Sequence, residues 1–531
     1  MNKGILTVLM GMFAAYALAG RITPEQFIYM GAFRLPDTEP YESGWYWGGT
    51  AMTYYPYGDT SGTKDGYPGS IYGTGHAWNM YVCEVDIPEP VVSTTKDLND
   101  LNTSGILQNF TDVRGTLFTN AVGEPLFDEM MRAGIEYLPA QGSQLSDKLH
   151  LSWGQHLQEG AFSPSHMWCE LDLAHPESQG PWYFNGYSNY TSCDYLFEIP
   201  ASWADSISNG YRLAAGRFRD GLWSGRGPAL YAFRPWQTDV HSGGDTLSAI
   251  VPLLLYGEVQ EEIQHIYSDQ TMCMNGFREA DEWVGGAWLT YGEDSAVILA
   301  GTKGTGHSWY GLPDGTVWDE EDTGQEDPYN QRGWWCDGFK GLILFFDPSD
   351  FLRVVRGEMQ HFEVQPYDSL NIDPLLFAVD SVQQKSHVCG VCYDRLRNYL
   401  YIGEWLADDD KPLIHVWKIG TGQGSGIQKT MPEHPRLLQN YPNPFNAETL
   451  IEYSLREKAR IIIDIFNLRG QIIRSMEPGM QSAGRHHILW NSLNRYGQSA
   501  VSGVYVVRLK AFAAESGRTC FQCCRKITMI K

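Results

Sequence analysis

One pattern recurs five times between about residues 26 and 419, and it limits what the chain can fold into more than any other feature. A Gly-rich or aromatic strand leads into a turn. A second strand then ends in glycine plus a polar residue, and a third, apolar strand closes on Pro or Asp-Pro. The second strands are 70–76, 149–156, 211–217, 296–303 and 399–404. The third strands include 81–88, 167–173, 228–233, 342–348 and 413–417, and the first strands 48–54, 134–137, 285–291 and 388–393. Copies spaced by roughly 60 to 100 residues predict an all-β chain folded as a β-propeller, with about five blades countable and up to seven admissible. Glycine and other small residues suit innermost strands, where blades crowd the axis. Residues 27–33 form a strand able to complete the last blade and close the ring. A β-sandwich or a β-helix is the alternative open to the same strands.

The chain has 531 residues, too many for one ordinary core, so two or more domains are expected. Its formal net charge of -24 excludes nucleic-acid binding over a broad surface, because phosphates would be repelled. The 18 Trp and 30 Tyr favour strands, and their faces suit sugar rings, although most must fill sheet cores. The first residues read as a secretory signal. Lys3 is the positive start, 5–18 is an apolar run too short for a comfortable membrane span, and Ala17-Leu18-Ala19 is a small-x-small cleavage site. Residues 1–19 are therefore expected to be removed, leaving 20–419 as the functional domain.

The ten cysteines give no disulfide framework. His387 with Cys389 and Cys392, and the late group Cys520, Cys523 and Cys524, are open to zinc, with buried thiols as the plainer reading. The acidic loops 408–410 and 320–322 are open to calcium, with a solvated turn as the plainer reading.

A Gly/Ser-rich linker occupies 420–436. Beyond it lie Leu438-Gln-Asn-Tyr-Pro-Asn-Pro-Phe-Asn446 and short strand-like runs at 449–454, 459–466, 487–490, 503–509 and 525–530, a pattern that predicts a small Ig-like β-sandwich. With the turn Asn467-Leu-Arg-Gly470, Trp490-Asn491, Ala500-Val-Ser-Gly-Val-Tyr505 and the closing Arg525-Lys526 strand, residues 437–531 resemble the type IX secretion C-terminal sorting domain. The resemblance implies export through type IX secretion machinery to the outside or outer-membrane surface of a Gram-negative bacterium. It says nothing of the cargo's activity, and the late cysteines are outside its pattern.

In a propeller the connections from second to third strand open on one face. The five second strands end at His76, His156, Arg217, Lys303 and Glu404, and these are the catalytic candidates. Four of the five are cationic or can become so, which in so acidic a chain points to an anionic ligand. His156 and Lys303 stand one residue further past their glycine than the others, and a one-residue slip turns a side chain to the other face. Arg219, His166, Glu282, Trp78, Trp309 and Tyr310 are the candidates for substrate contact, with Trp47 and His307 beside them. Each histidine taken alone is more often structural. GxSxG, Walker and HExxH motifs are missing from the sequence.

The leading reading is a polysaccharide lyase acting on an anionic, uronate-containing polysaccharide. β-Elimination needs a cation to neutralise the carboxylate (Arg217, Lys303), a base near neutrality (His156 or His76), and an acid for the leaving oxygen. The domain is faintly similar to the propeller-type ulvan lyases, which use His, Tyr and Arg in a canyon. Those enzymes have seven blades against the five counted here, so their residue roles do not transfer. A glycoside hydrolase using Glu404, Glu282 and Asp281, and a non-catalytic glycan-binding surface protein, are the alternatives.

Overall fold

The computed structural model describes residues 20–38, 40, 43–59, 66–119, 131–155, 163–207, 210–217, 223–236, 243–260, 265–319, 331–379, 384–420, 435–437, 440, 445, 449–481, 484–496, 498–513 and 518–530. The chain divides into two compact units between Ser425 and Gly426. It is all-β apart from two short α-helices, Ala201–Ile207 and Pro348–Val355, and a few 3-10 turns among the described residues.

Among its described residues the first unit holds five antiparallel sheets of four strands each, apart from two exceptions at the edges, and a two-stranded sheet of Glu258–Gln260 and His265–Tyr267. Sheet 1 is Met52–Tyr55, Ser70–Thr74, Val82–Asp86 and Ile106–Thr111. Sheet 2 is Met131–Leu138, Lys148–Gln155, His166–Cys169 and Gln179–Phe184, with Thr246–Leu247 added in parallel at its edge. Sheet 3 is Tyr195–Glu198, Leu213–Gly216, Leu230–Phe233 and Ile250–Leu254, and sheet 4 is Glu282–Tyr291, Asp294–Gly311, Gly333–Phe346 and Asp368–Asn371. Sheet 5 is Val388–Asp394, Tyr399–Asp408 and Lys411–Ile419, and its fourth strand is Phe27–Arg34 from the other end of the unit.

The first strands of the five sheets neighbour one another in a closed cycle: sheet 1 beside 2, 2 beside 3, 3 beside 4, 4 beside 5, and 5 beside 1. The apolar cores lie between sheets. Tyr72, Val82, Ile135 and Trp153 join sheets 1 and 2; Phe184, Leu196 and Tyr231 join 2 and 3; Phe197, Leu230, Trp288 and Val297 join 3 and 4; Met52, Ile71, Tyr401 and Ile414 join 5 and 1. Strands covered on both faces read as continuous apolar runs, and Leu213–Gly216 and Leu230–Phe233 are buried throughout. Crowding among the first strands explains their glycines. A Cβ on Gly285 would stand 2.6 Å from Val391, and one on Gly390 would stand 2.7 Å from the Gly49 carbonyl oxygen.

One polar network joins the first strands. The Thr53 hydroxyl donates to Glu136 (2.9 Å), and the Glu198 amide donates to the other Glu136 oxygen (3.0 Å). Arg395, in the turn after Val388–Asp394, donates to the Glu198 carboxylate (3.1 Å) and carbonyl (3.1 Å) and to the Trp288 carbonyl (2.9 Å). Sheets 1 to 5 each contribute one member. Burial, reinforced by the Glu198 charge, pushes the Glu136 carboxyl up to about 8.

The closing strand Phe27–Arg34 is anchored by a bidentate pair from Arg34 to the buried Asp408 (2.9 and 2.8 Å), with Lys411 3.6 Å from the same carboxylate. Asp408, the first residue of the acidic loop 408–410, is thus engaged by cations of the protein itself. Residues 320–322 lie outside the described residues. Cys389 and Cys392 are buried, and burial pushes the Cys389 thiol up to about 12. His387 turns instead to Asp373 (2.8 Å) and the Gln384 carbonyl (2.8 Å). No three metal-ligating side chains gather among the described residues, so the zinc reading of either cysteine group finds no site there. No helix of the described residues is long and apolar enough to cross a membrane.

The second unit has a three-stranded sheet (Arg436–Leu437, Thr449–Leu455, Gly484–Trp490) and a four-stranded sheet (Ile472–Gln481, Ala459–Asn467, Gly503–Ala513, Thr519–Met529). They share one core around Trp490, which Phe445 and Tyr505 touch at ring separations of 5.5 and 5.3 Å. Cys524 is exposed on the last strand, and Cys523 is partly exposed beside it.

Glu136 gives the fold a pH signature. Its folded value lies above the ordinary carboxylate value, so the folded chain binds its proton more tightly than the unfolded chain does. That stability is complete below about pH 4.5 and is lost as pH rises to about 8. Glu136→Gln should flatten the fall in thermal midpoint between about pH 5 and 8, measured by calorimetry in a pH series.

Candidate functional site

On the side where second strands run into third strands, sheets 3 and 4 flank an open cleft of about 520 Å³. Its walls carry Arg226, Cys273, Phe277, Arg278, Glu279 and His307. Arg226 belongs to the connection after Leu213–Gly216. Its amide donates to the Tyr256 carbonyl (3.1 Å), and its own carbonyl accepts from Met274 (2.9 Å). Arg278 and Glu279 lie on the approach to Glu282–Tyr291. His307 comes from sheet 4, whose second and third strands run past the end of the first. This ribbon, residues 303–311 against 333–340, reaches roughly 30 Å beyond the sheet.

Asp281 ties these pieces together. Its carboxylate accepts from the amides of Gly304 (2.9 Å) and Arg278 (3.1 Å) and from Lys303 Nζ (2.7 Å). Burial outweighs the Lys303 charge and pushes this carboxyl up to about 6. The Arg278 guanidinium donates to the carbonyls of Gly306 and Phe277, both at 2.9 Å, which fixes its direction. Arg226 Nη1 stands 4.0 Å from Glu279. The His307 amide donates to Asp337 (2.7 Å), leaving its ring stacked on Trp309 at 6.3 Å. The ribbon also bears Tyr310 edge-on to Trp334 (5.5 Å), and Lys385 lies over Trp335 (4.4 Å). Two arginines, a histidine and Glu279 thus line the cleft, with Asp281 and Asp337 bonded to the same segments and aromatic faces alongside.

The residues expected from the sequence separate into groups. Lys303, Glu282, Trp309 and Tyr310 sit on sheet 4 or its ribbon, with Lys303 paired to Asp281. Glu282 accepts from the Ser386 hydroxyl (3.3 Å), and Trp309 Nε1 donates to the Leu312 carbonyl (2.9 Å). His76 and Trp78 follow the second strand of sheet 1. The imidazole Nδ1 accepts from the Trp78 amide (3.2 Å), and Trp78 is exposed, as is Trp47.

Three expectations are corrected by burial. Arg217 is fully buried, 3.4 Å from Asp194 and 4.1 Å above the Tyr190 ring. Glu404 is buried and accepts from the Phe377 amide (2.8 Å), the Ala378 amide (2.6 Å) and the His415 ring (2.8 Å), so it is not an acid at an open mouth. His166 is buried in a ring stack with Phe184 at 4.5 Å, and burial lowers its imidazole to about 3. Arg217 and Glu404 directly follow their glycines, as His76 does, and all three are buried; Lys303 stands one residue further past its glycine and pairs with Asp281. His156 and Arg219 lie outside the described residues. The sequence reading passed over Arg226, Arg278 and Glu279 because it followed strand ends. The charged run 278–282, just ahead of a first strand, was the available signal.

Residues 446–515 match the FlgD Ig-like domain family. No curated protein matches the chain. Among solved structures it is similar to FlgD from P. aeruginosa, at 15% identity over 15% of this chain and 59% of that one, with a TM-score of 0.14. It is also similar to PorZ, a surface component of the type-IX secretion system of Porphyromonas gingivalis, at 12% identity over 88% and 50%, TM-score 0.25. A third is a glycoside hydrolase family 43 arabinoxylan arabinofuranohydrolase from Bacillus subtilis, at 10% identity over 85% and 93%, TM-score 0.28. The chain thus spans 59% and 50% of the length of the first two.

If His166 is a core side chain, His166→Phe should keep the ring packing and any activity. Its depressed imidazole makes the native chain lose stability as pH falls from about 6.5 to about 3, because the unfolded form takes the proton more readily. The variant should therefore show a smaller drop in thermal midpoint over that range, read by calorimetry.

Proposed function

We propose that the chain is an exported carbohydrate-active protein: a five-bladed β-propeller with a site for an anionic, uronate-containing polysaccharide, followed by a type IX C-terminal sorting domain. The propeller reading is supported by five four-stranded sheets with first strands in a closed cycle and an N-terminal strand completing the last sheet. The sorting reading is supported by the NYPNPFN opening and the Ig-like match at 446–515. Together they favour the outer-membrane surface or the medium around a Gram-negative cell.

The observation that carries the ligand class is the cleft itself, where Arg226, Arg278 and His307 converge in a chain of net charge -24. For such a ligand the chemistry that fits is β-elimination. Arg226 and Arg278 neutralise the uronate carboxylate, which acidifies the neighbouring C5 proton. His307 takes that proton, the C4–O bond breaks, a C4–C5 double bond forms, and the leaving oxygen takes a proton from water. His76 and His156 remain proposed participants in proton transfer. The hydrolase alternative loses Glu404, whose carboxylate is already filled by two amides and His415. A non-catalytic glycan-binding role is the second reading, favoured by the fixed hydrogen bonds that already orient Arg278.

The test is ultraviolet absorbance of unsaturated uronate, with residues 20–425 incubated on a panel of uronate polysaccharides including ulvan. A rise is expected. Arg278→Ala should lower its rate by about 100-fold or more, and His307→Ala by about 100- to 10,000-fold, with the thermal midpoint kept. Retained binding without any rise would move the conclusion to the glycan-binding reading. New reducing ends without the absorbance would move it to hydrolysis.

A further inference from the structure

The first described residues hold the amino-terminal segment against sheet 4. The Gly20 carbonyl accepts from the Ser295 amide (3.0 Å), and the Ile22 amide donates to the Ser295 carbonyl (3.3 Å). The Arg21 guanidinium pairs with Asp347 (2.5 Å) and lies over the Tyr367 ring at 4.8 Å, while the Tyr367 hydroxyl donates to the Ile22 carbonyl (2.5 Å). Asp294 opens the second strand of sheet 4, with one oxygen accepting from Gln26 Nε2 (3.3 Å). Its other oxygen faces Gly20 so closely that a Cβ there would stand 2.0 Å from it. Fixed backbone geometry then puts the Gly20 nitrogen within about 4.5 Å of the same oxygen.

The small-x-small sequence Ala17-Leu18-Ala19 ends at the bond whose far side is that nitrogen. We propose that cleavage between Ala19 and Gly20 creates the partner of Asp294: the α-ammonium of Gly20 pairs with the Asp294 carboxylate and fastens the mature amino terminus to sheet 4. In the step, water and a leader peptidase hydrolyse the Ala19–Gly20 amide. The released leader carries the new carboxylate at Ala19, and the mature chain carries the ammonium at Gly20. Before cleavage the nitrogen is a neutral amide with no charge to offer. Afterwards a full positive charge lies beside a carboxylate with one oxygen turned toward it. Glycine at position 20 fits this reading, because any Cβ would occupy the space that the carboxylate holds. The inference is independent of the glycan reading.

The test has two parts. Mass spectrometry of the secreted protein should show an amino terminus at Gly20, and a start at any later residue would overturn the proposal. Thermal midpoints are then compared for the mature chain and for a chain extended by one serine before Gly20, each with Asp294 and with Asp294→Asn. The substitution should lower the midpoint of the mature chain by about 1–2 °C and leave the extended chain nearly unchanged. An equal loss in both backgrounds would overturn the pairing. Because the two backgrounds differ only in where the ammonium sits, a general effect of the substitution on folding cancels in the comparison.

Discussion

Five first strands converge in the first unit, and the polar network of Thr53, Glu136, Glu198 and Arg395 is where they are tied. Each apolar core lies between two neighbouring sheets, so no single core holds all five in register. The network does, because Arg395 bonds to sheets 3 and 4 from the end of sheet 5, and Glu136 bonds to sheets 1 and 3. Hydrogen bonds of this kind are directional and costly to leave unmade when enclosed by protein. The raised Glu136 carboxyl is the consequence of burying that group, with the Glu198 charge adding to it.

Closure of the ring rests on a second device of the same type. The strand Phe27–Arg34 must return across nearly the whole unit to pair with Lys411–Ile419, and such a long loop gains little from local contacts. The bidentate pair of Arg34 with buried Asp408, with Lys411 alongside, fixes the last turn of that register.

The cleft between sheets 3 and 4 follows from the same architecture. Connections between second and third strands are free of the packing that fixes the sheets, so they carry the length variation. In sheet 4 that connection grows into a ribbon, and Asp281 binds its root to the approach strand through Gly304, Lys303 and Arg278. Arg278 and His307 line the cleft from two segments that Asp281 and the Arg278–Gly306 bond hold together. Arg226 and Arg278 line the cleft together with Glu279, and Asp337 accepts from the His307 amide beside it.

Much of the strand inventory was legible in the sequence. The second strands 70–76, 296–303 and 399–404 and the closing strand 27–33 fall on observed strands, because alternation and glycine spacing report burial directly. The first strand of sheet 3, Tyr195–Glu198, was not read from the sequence. The Ig-like character of the last unit was also legible, since turn residues between short strands leave a local signature. What only the tertiary structure decided is which polar side chains are free. His166, Arg217 and Glu404 look like site residues in sequence, yet they are buried, and their partners Phe184, Asp194 and His415 come from other strands of the same sheets or from connections. Burial of a polar group is set by what packs on it from a distance along the chain, and that is not written in the local pattern.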